Sequence, residues 1–73
     1  MAFGQAIRHH RRTRKLSQEK LALLAGINRT YMGDVERGER NIALRNMMKI
    51  AEVLQIRLSE LVRTMESELR KVH

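Results

Sequence analysis

Short segments with helical spacing, bounded by residues that start or stop helices, constrain this chain more than any other feature. Between Leu44 and Leu54, for example, one set of apolar residues recurs at three- and four-residue spacing, as on one face of an α-helix: Leu44, Met47, Ile50, Ala51 and Leu54. Proline is absent, and the aromatic residues are only Phe3 and Tyr31, which suits helices better than strands. The sequence therefore predicts an all-α fold.

Five helices are expected, with no linker between them. They span Phe3 to Thr13, a segment between Ser17 and Gly26, a segment from Asn28 to about Arg37 that Gly38 ends, Leu44 to Leu54, and a segment from Leu58 almost to the terminus. Ser17 and Asn28 are N-cap candidates, because their short side chains can accept a hydrogen bond from the first helical turn. Gly26 enters the left-handed conformation cheaply and so stops a helix. The cap of the fourth helix is ambiguous between Asn41 and Ala43.

One face of each predicted helix is apolar, and these faces form the candidate core. The core candidates are Phe3, Ile7 and His10 in the first helix, Leu21, Leu24 and Ala25 in the second, Met32 and Val35 in the third, Leu44, Met47, Ile50, Ala51 and Leu54 in the fourth, and Leu58 and Leu61 in the fifth. A chain of 73 residues is one domain at most and buries only about 60% of the surface that its unfolded form exposes. We therefore expect residues 1–73 to form a single domain, completed by residues 58–73, and we do not expect an enzyme with a deep pocket.

Basic residues exceed acidic ones by 15 to 8, a formal net charge of +7. Residues 1–57 carry the whole excess, whereas residues 58–73 hold three cations and three acids. Such an excess points to a polyanionic partner, either nucleic acid or a membrane surface. Since no apolar run approaches the length of a membrane span and no secretory signal is visible, a cytoplasmic location without a membrane partner is expected.

The sequence contains no cysteine, which excludes disulfides and thiolate metal sites. Adjacent His9 and His10 project about 100° apart on a helix, so they are poor joint metal ligands. Because no other residues complete a metal site or a catalytic triad, we expect no metal, no cofactor and no enzymatic activity.

The second and third predicted helices have the spacing of a helix-turn-helix. Ala22 is small where the second element must pass closely, and Gly26 lies at the turn. Ile27, Met32 and Val35 follow as the buried residues that fix the crossing. Two helices of a generic bundle do not require a small residue and a turn glycine at this offset.

Over about residues 3–62, the chain resembles the phage-repressor and Cro-like helix-turn-helix regulators of bacteria. The matching segments are Ile7-Arg8-x-x-Arg11, Leu16-Ser17-Gln18-Glu19-x-Leu21-Ala22, Gly26-Ile27, Val35-Glu36-Arg37-Gly38 and Ile50-Ala51-x-x-Leu54. Within the family, the run from Asn28 to Met32, followed by Arg40 and Asn41, is most similar to the small controller proteins of restriction–modification systems. The resemblance implies a compact five-helix fold that binds double-stranded DNA as a homodimer.

Arg29, Thr30 and Asp34 are the candidates for contacts to DNA bases, because a helix in the major groove presents its N-terminal residues to base edges. Arg29 can donate twice to guanine, although a contact to phosphate alone is the alternative. Thr30 can meet a thymine methyl group or bond a base edge. For Asp34 three roles stay open: accepting from a cytosine amino group, repelling unsuitable sequences, or pairing with a neighbouring arginine.

Six further positions are candidates for contacts to the sugar–phosphate backbone: Gln18, Tyr31, Gly33, Arg37, Arg40 and Asn41. Gln18 resembles the family glutamine that binds a phosphate at a helix N-terminus. Arg37, Arg40 and Asn41 follow the third helix on a loop. The alternative to phosphate contacts there is that the arginines are solvated surface cations. Gly33 replaces a serine that is frequent in the family and costs up to about 1 kcal/mol relative to alanine. This indicates either a close approach of the DNA backbone or of another helix, or a merely tolerated glycine. Tyr31 is open between inward packing and a phosphate contact.

Two further sets of residues are expected to hold the domain and its partner copy together. Arg11 and Glu36 match a family pair that forms an ion bridge between the first and third helices. Val62, Met65, Leu69 and Val72 follow one another by three, four and three positions, which makes the fifth helix the candidate dimer interface. The alternative for that helix is a solvated tail.

These observations lead to a sequence-specific DNA-binding transcriptional regulator that recognises an inverted repeat as a homodimer, such as a repressor or a controller protein. An alternative is the antitoxin of a toxin–antitoxin pair, in which the same domain also masks a partner protein. A basic amphipathic peptide at a membrane surface is disfavoured, because five apolar stripes favour packing on one another. Contacts to RNA polymerase or to a toxin stay open, as do the operator sequence and the sign of regulation.

Overall fold

The structure, a computed structural model, describes residues 2–71, and within that range the chain forms five α-helices and no strand. The helices are α1 (Ala2–Thr13), α2 (Gln18–Ala25), α3 (Arg29–Glu36), α4 (Leu44–Leu54) and α5 (Leu58–Lys71). The predicted all-α fold is confirmed. None of these helices is long and apolar enough to cross a membrane.

The caps of the helix-turn-helix segment follow from local side-chain chemistry. Ser17 Oγ accepts a hydrogen bond from the Lys20 backbone N–H at 3.0 Å, and Asn28 Oδ1 accepts one from the Tyr31 N–H at 3.1 Å. Gly26 adopts the left-handed conformation, with φ 67° and ψ 34°. These three residues set where α2 begins, where it ends and where α3 begins, as predicted from the sequence.

α4 begins and ends without the residue types that usually cap a helix. Ala43 is its N-cap and offers no side-chain hydrogen bond, which resolves the ambiguity with Asn41. At the other end Gln55, although not glycine, adopts a left-handed φ of 57°. The Arg14 guanidinium donates to Gln55 Oε1 at 2.8 Å, so the residue that follows α1 holds the turn between α4 and α5.

All five helices contribute to one hydrophobic core. Its buried members are Ala6, Ile7, Leu21, Ala22, Ala25, Met32, Val35, Ile50, Ala51, Leu54 and Leu61. Two predicted core positions are wrong: Leu24 is 52% exposed and Leu44 is 61% exposed. A helix turns by about 100° per residue, so the face that Ala22 and Ala25 bury leaves Leu24 to the side. Leu44 is the first residue of α4, and the buried part of that helix lies beyond it.

α1 meets the end of α3 at Gly4. This glycine is buried, and a Cβ atom on it would lie 2.4 Å from the Val35 carbonyl oxygen and 2.6 Å from that of Glu36. Helix backbone cannot move aside as the end of a flexible side chain can. Gly4 therefore sets how closely α1 approaches α3, a role that the sequence pattern did not reveal.

The two longest helices, α1 and α5, pack against each other. His10 Nε2 lies 2.8 Å from Thr64 Oγ1 across this contact, and Leu61 is fully buried beneath it. Burial lowers the pKa of His10 below its ordinary value; the charge of His9 lowers it further, and Glu60 opposes both effects less strongly. The packing of α1 on α5 therefore favours the neutral form of His10.

Candidate nucleic-acid interface

α3 has a buried face and an exposed N-terminal face. Met32 and Val35 are buried against the core, whereas Arg29 and Thr30 are exposed. The Asn28 cap starts the helix immediately before Arg29, so these two exposed residues form its first turn. A helix held by its inner face and open at its N-terminal turn is suited to enter the major groove.

The Arg29 side chain is only lightly restrained. Its Nε lies 3.6 Å from Glu19 Oε2, and both side chains are about two-thirds exposed or more. Exposed ion pairs of this kind contribute roughly 0–1 kcal/mol. The guanidinium can therefore leave Glu19 for a base or a phosphate at little cost.

Residues predicted to contact bases and residues predicted to contact phosphates come together in one shallow groove of about 260 Å³. It is lined by Gln18, Arg29, Thr30, Gly33 and Arg37. Gly33 is buried at its floor, and a Cβ atom there would lie 3.1 Å from Arg37 Nη1 and 3.3 Å from Gln18 Oε1. The close approach at Gly33 is thus made by two flexible side chains of the same domain.

Beside this groove, two arginines and two acids form what we call the acid–arginine cluster: Asp34, Arg37, Glu39 and Arg40. Arg37 donates through Nη2 to Asp34 and through Nε to Glu39, the latter at 3.0 Å. Arg40 Nε lies 3.6 Å from the second oxygen of Asp34. The hydrogen bond to Glu39 and the charges of both acids raise the pKa of Arg37. Of the three roles left open for Asp34, the geometry favours pairing with neighbouring arginines.

Tyr31 connects α3 to the loop that follows it and to α4. Its hydroxyl donates to the Asn41 carbonyl oxygen at 3.3 Å and accepts from Asn46 Nδ2 at 3.4 Å. The Arg40 guanidinium carbon lies 5.7 Å from the centre of the ring, within cation–π range. Tyr31 is half-buried against the core, so it packs inward and also shapes the surface that carries Arg40 and Asn41.

The position of α3 depends on a buried carboxylate. The Glu36 side chain is fully buried, and it accepts from Arg11 Nε at 2.8 Å and from Arg11 Nη2 at 3.1 Å. Arg8 adds a longer contact from Nε at 3.4 Å, and Arg11 Nη1 also donates to the Leu16 carbonyl oxygen at 2.8 Å. The structure thus brings together the two residues of the expected ion bridge. The sequence pattern did not place Arg8 at this ion bridge, although Arg8 lies about one helical turn before Arg11 on the same face.

The residues predicted for the dimer interface are placed unequally. Met65 packs against the core of its own chain and Val62 is half-buried, whereas Leu69 is 47% exposed. Val72 lies outside the described residues. Within α5, Leu69 is therefore the large apolar side chain that is most available to a second copy.

The two adjacent histidines do not converge on a common point. Their rings lie edge to face, with the ring centres 5.1 Å apart. Across residues 2–71 there is no group of three or more His, Asp or Glu side chains arranged to hold a metal ion.

Comparison with known proteins identifies the family. The sequence profile of the helix-turn-helix family matches residues 7–61. This chain belongs to the helix-turn-helix family. The control protein C.BamHI of Bacillus amyloliquefaciens is 41% identical over 63 residues, which cover 85% of this chain and 78% of that protein.

Solved structures of helix-turn-helix regulators share this fold. The crystal structure of the restriction-modification controller protein C.AhdI from Aeromonas hydrophila has a TM-score of 0.80 and 50% identity, and the match covers 82% of this chain and 91% of that one. The biofilm regulator SinR, solved in complex with DNA, has a TM-score of 0.79 and 28% identity, with 82% and 97% of the two chains covered. The resemblance inferred from the sequence motifs is confirmed. The findings support a DNA-binding transcriptional regulator over the antitoxin alternative.

Proposed function

We propose that this chain acts in the cytoplasm as a homodimeric regulator that binds an inverted-repeat operator, in the manner of a restriction–modification controller protein. Support comes from relatives that are named control or controller proteins and that match most of this chain. The observation that carries the proposal is the exposure of Arg29 and Thr30 on the first turn of α3, beside the groove that Gln18 and Arg37 also line. No enzymatic activity is part of the proposal.

Arg29 and Thr30 read the bases in this proposal. The Arg29 guanidinium is exposed and weakly paired, so it can present two parallel N–H donors to the O6 and N7 atoms of guanine. A bidentate contact of this kind contributes about 1–3 kcal/mol of discrimination against a wrong base. Thr30 adds either a contact to a thymine methyl group or a hydrogen bond to a base edge.

The residues around the groove position the helix on the duplex. Gln18 lies at the N-terminus of α2, where backbone N–H groups and the helix dipole favour a phosphate. Arg37, Arg40 and Asn41 follow α3 and are exposed. They can therefore contact successive phosphates of the DNA strand that lies beside α3. Such contacts carry no sequence information but set register and orientation.

A second copy is needed because one helix-turn-helix reaches only a few base pairs. Two half-sites about 34–36 Å apart, read by a symmetric pair of recognition helices, provide useful specificity. Leu69 offers an exposed apolar side chain on α5, and Val62 lies half-buried nearly two turns before it. We assign the dimer contact to this part of α5.

Selection of bound sites from random duplex DNA tests the proposal. We expect an enriched inverted repeat whose half-sites lie about one helical turn apart. The Arg29→Ala variant should lose preference at one base position of each half-site. The Arg40→Ala variant should weaken binding to every duplex and lower the slope of log K against log salt by about one.

Arg12→Ala is the matched control, because Arg12 is an exposed arginine on α1, away from the groove. It should keep the base preference of the parent chain. If no sequence were enriched, or if the Arg29 and Arg12 variants selected the same sites, the proposed recognition would be wrong.

A further inference from the structure

The two arginines best placed to bind phosphate are each held from more than one side. Arg37 donates to Asp34 and to Glu39 through Nη2 and Nε. Arg40 is held between Asp34, 3.6 Å from its Nε, and the ring of Tyr31. One carboxylate, that of Asp34, is therefore shared by both guanidiniums: it accepts a hydrogen bond from Arg37 and forms a longer, looser ion pair with Arg40.

The remaining edge of Arg37 lies at the groove, which this residue lines. Nε and Nη2 are occupied by the acids, whereas Nη1 lies beside Gly33, where a Cβ atom would be 3.1 Å from Nη1 and 3.3 Å from Gln18 Oε1. An arginine has five N–H donors, so the two acids leave donors on Nη1 for a phosphate. Arg40 likewise keeps donors for a phosphate, because its contact with Asp34 is made through Nε at 3.6 Å and its side chain is 60% exposed.

Asp34 can stabilise α3 only through its pair with Arg37, an i,i+3 spacing that contributes about 0.2–0.5 kcal/mol. It lies in the last turn of an eight-residue helix, where the helix dipole favours cations and disfavours an acid. Aspartate is also among the weaker helix formers. Its side chain is only 22% exposed and pairs with both arginines. The arginines, and not the helix, account for an acid at this position.

We propose that Asp34 is a positioning residue that aims the guanidiniums of Arg37 and Arg40 at the DNA backbone, and this inference rests on the proposed function. Long cationic side chains lose conformational freedom when they bind a phosphate. Asp34 already hydrogen-bonds Arg37 and lies within ion-pair distance of Arg40, so part of this conformational freedom is lost when the protein folds and not when it binds DNA. The carboxylate keeps its two pairs while the outer N–H groups bind phosphate.

The Asp34→Asn substitution distinguishes this role from simple electrostatics, because the two explanations predict opposite signs. Removal of a negative charge from a DNA-binding face should by itself tighten binding. Loss of positioning should instead weaken binding to the selected operator and to a scrambled duplex alike, by roughly 5- to 20-fold, with a shallower salt slope. The measurement is fluorescence anisotropy of labelled duplexes over a salt series, with circular dichroism to verify folding.

A double-mutant cycle supplies the decisive readout. In the Arg37→Ala/Arg40→Ala background there is nothing left for Asp34 to position, so Asp34→Asn should tighten binding there while it weakens binding in the parent chain. Glu52→Gln makes the same charge change at an exposed position of α4 and should not weaken binding in either background.

Three results would overturn the inference. Asp34→Asn could tighten binding or leave it unchanged in the parent chain, or it could weaken binding equally in both backgrounds. The proposed function fails on a different result, namely that the unsubstituted chain binds operator and scrambled duplexes equally.

Discussion

Replacement of Arg11 by methionine should destabilise the domain more than any other single change to its surface arginines. Glu36 is a fully buried carboxylate, and Arg11 is its main partner, with two hydrogen bonds at 2.8 and 3.1 Å. Methionine keeps most of the apolar stem of the side chain but removes the guanidinium. Only the longer contact from Arg8, at 3.4 Å, then remains for the buried charge.

The expected loss is about 3 kcal/mol, because breaking a buried ion pair costs about 3–5 kcal/mol and Arg8 offsets part of it. A domain of this length has a total stability of about 4–11 kcal/mol, so the loss is a large share. At about 4–8 °C per kcal/mol, the melting temperature should fall by about 12–24 °C.

Urea and thermal unfolding, followed by circular dichroism, measure the effect. Arg12→Met is the control, since Arg12 is an exposed neighbour on the same helix, and its change should stay within about 0.5 kcal/mol. The double variant Arg11→Met/Glu36→Met should be more stable than Arg11→Met alone, because it leaves no buried charge unpaired. Equal stabilities for the Arg11 and Arg12 variants would refute the reasoning, and so would a double variant less stable than the single one.

Three other predictions follow from packing, burial and exposure. Gly4→Ala should lower the free energy of unfolding by about 1–3 kcal/mol or more, because the added Cβ atom meets backbone. Gly33→Ala should leave the free energy of unfolding unchanged or raise it by up to about 1 kcal/mol, while weakening DNA binding. Equal effects of the two substitutions on urea unfolding would contradict this. Since the pKa of His10 is lowered on folding, its contribution to stability is complete above its ordinary value of 6.5 and is lost as pH falls toward the lowered pKa. His10→Gln should reduce the loss of stability between pH 8 and pH 5.5, and an unchanged pH dependence would count against it. If the proposed dimer forms through α5, Leu69→Glu should shift it toward monomer in light scattering, unlike Glu66→Gln on the same helix. An unaltered mass would exclude Leu69 from the proposed interface.

Much of the fold was predictable because its determinants are local. The hydrogen bonds of Ser17 and Asn28 join residues three positions apart, and the conformation of Gly26 depends on its own missing side chain. The bounds of α4 followed from apolar spacing alone. Leu24 shows where apolar spacing fails to predict burial. In a helix of eight residues, the spacing does not distinguish a leucine at the edge of the apolar face from one at its centre.

The candidate site was predictable as a set of residues but not as a set of contacts. Arg29 and Thr30 could be placed on an exposed first turn, because the cap and the buried spacing of α3 determine its orientation. The partner of Asp34 could not be chosen, since that depends on how the loop after α3 folds back to bring Arg40 beside it. Glu39 had no signal in the sequence that distinguished it from any exposed acid.

The amino-acid sequence by itself determined the helices, the caps of α2 and the N-cap of α3, the basic charge and the membership of a DNA-binding family, since each of these depends on neighbouring residues or on composition. Only the tertiary structure decided that Gly4 lies against the backbone of α3, that Arg8 joins Arg11 in contacting Glu36, and that Asp34 pairs with two arginines at once. These contacts are made between side chains and backbone of different segments, and their partners are chosen by the angle and distance at which the helices and the loop pack.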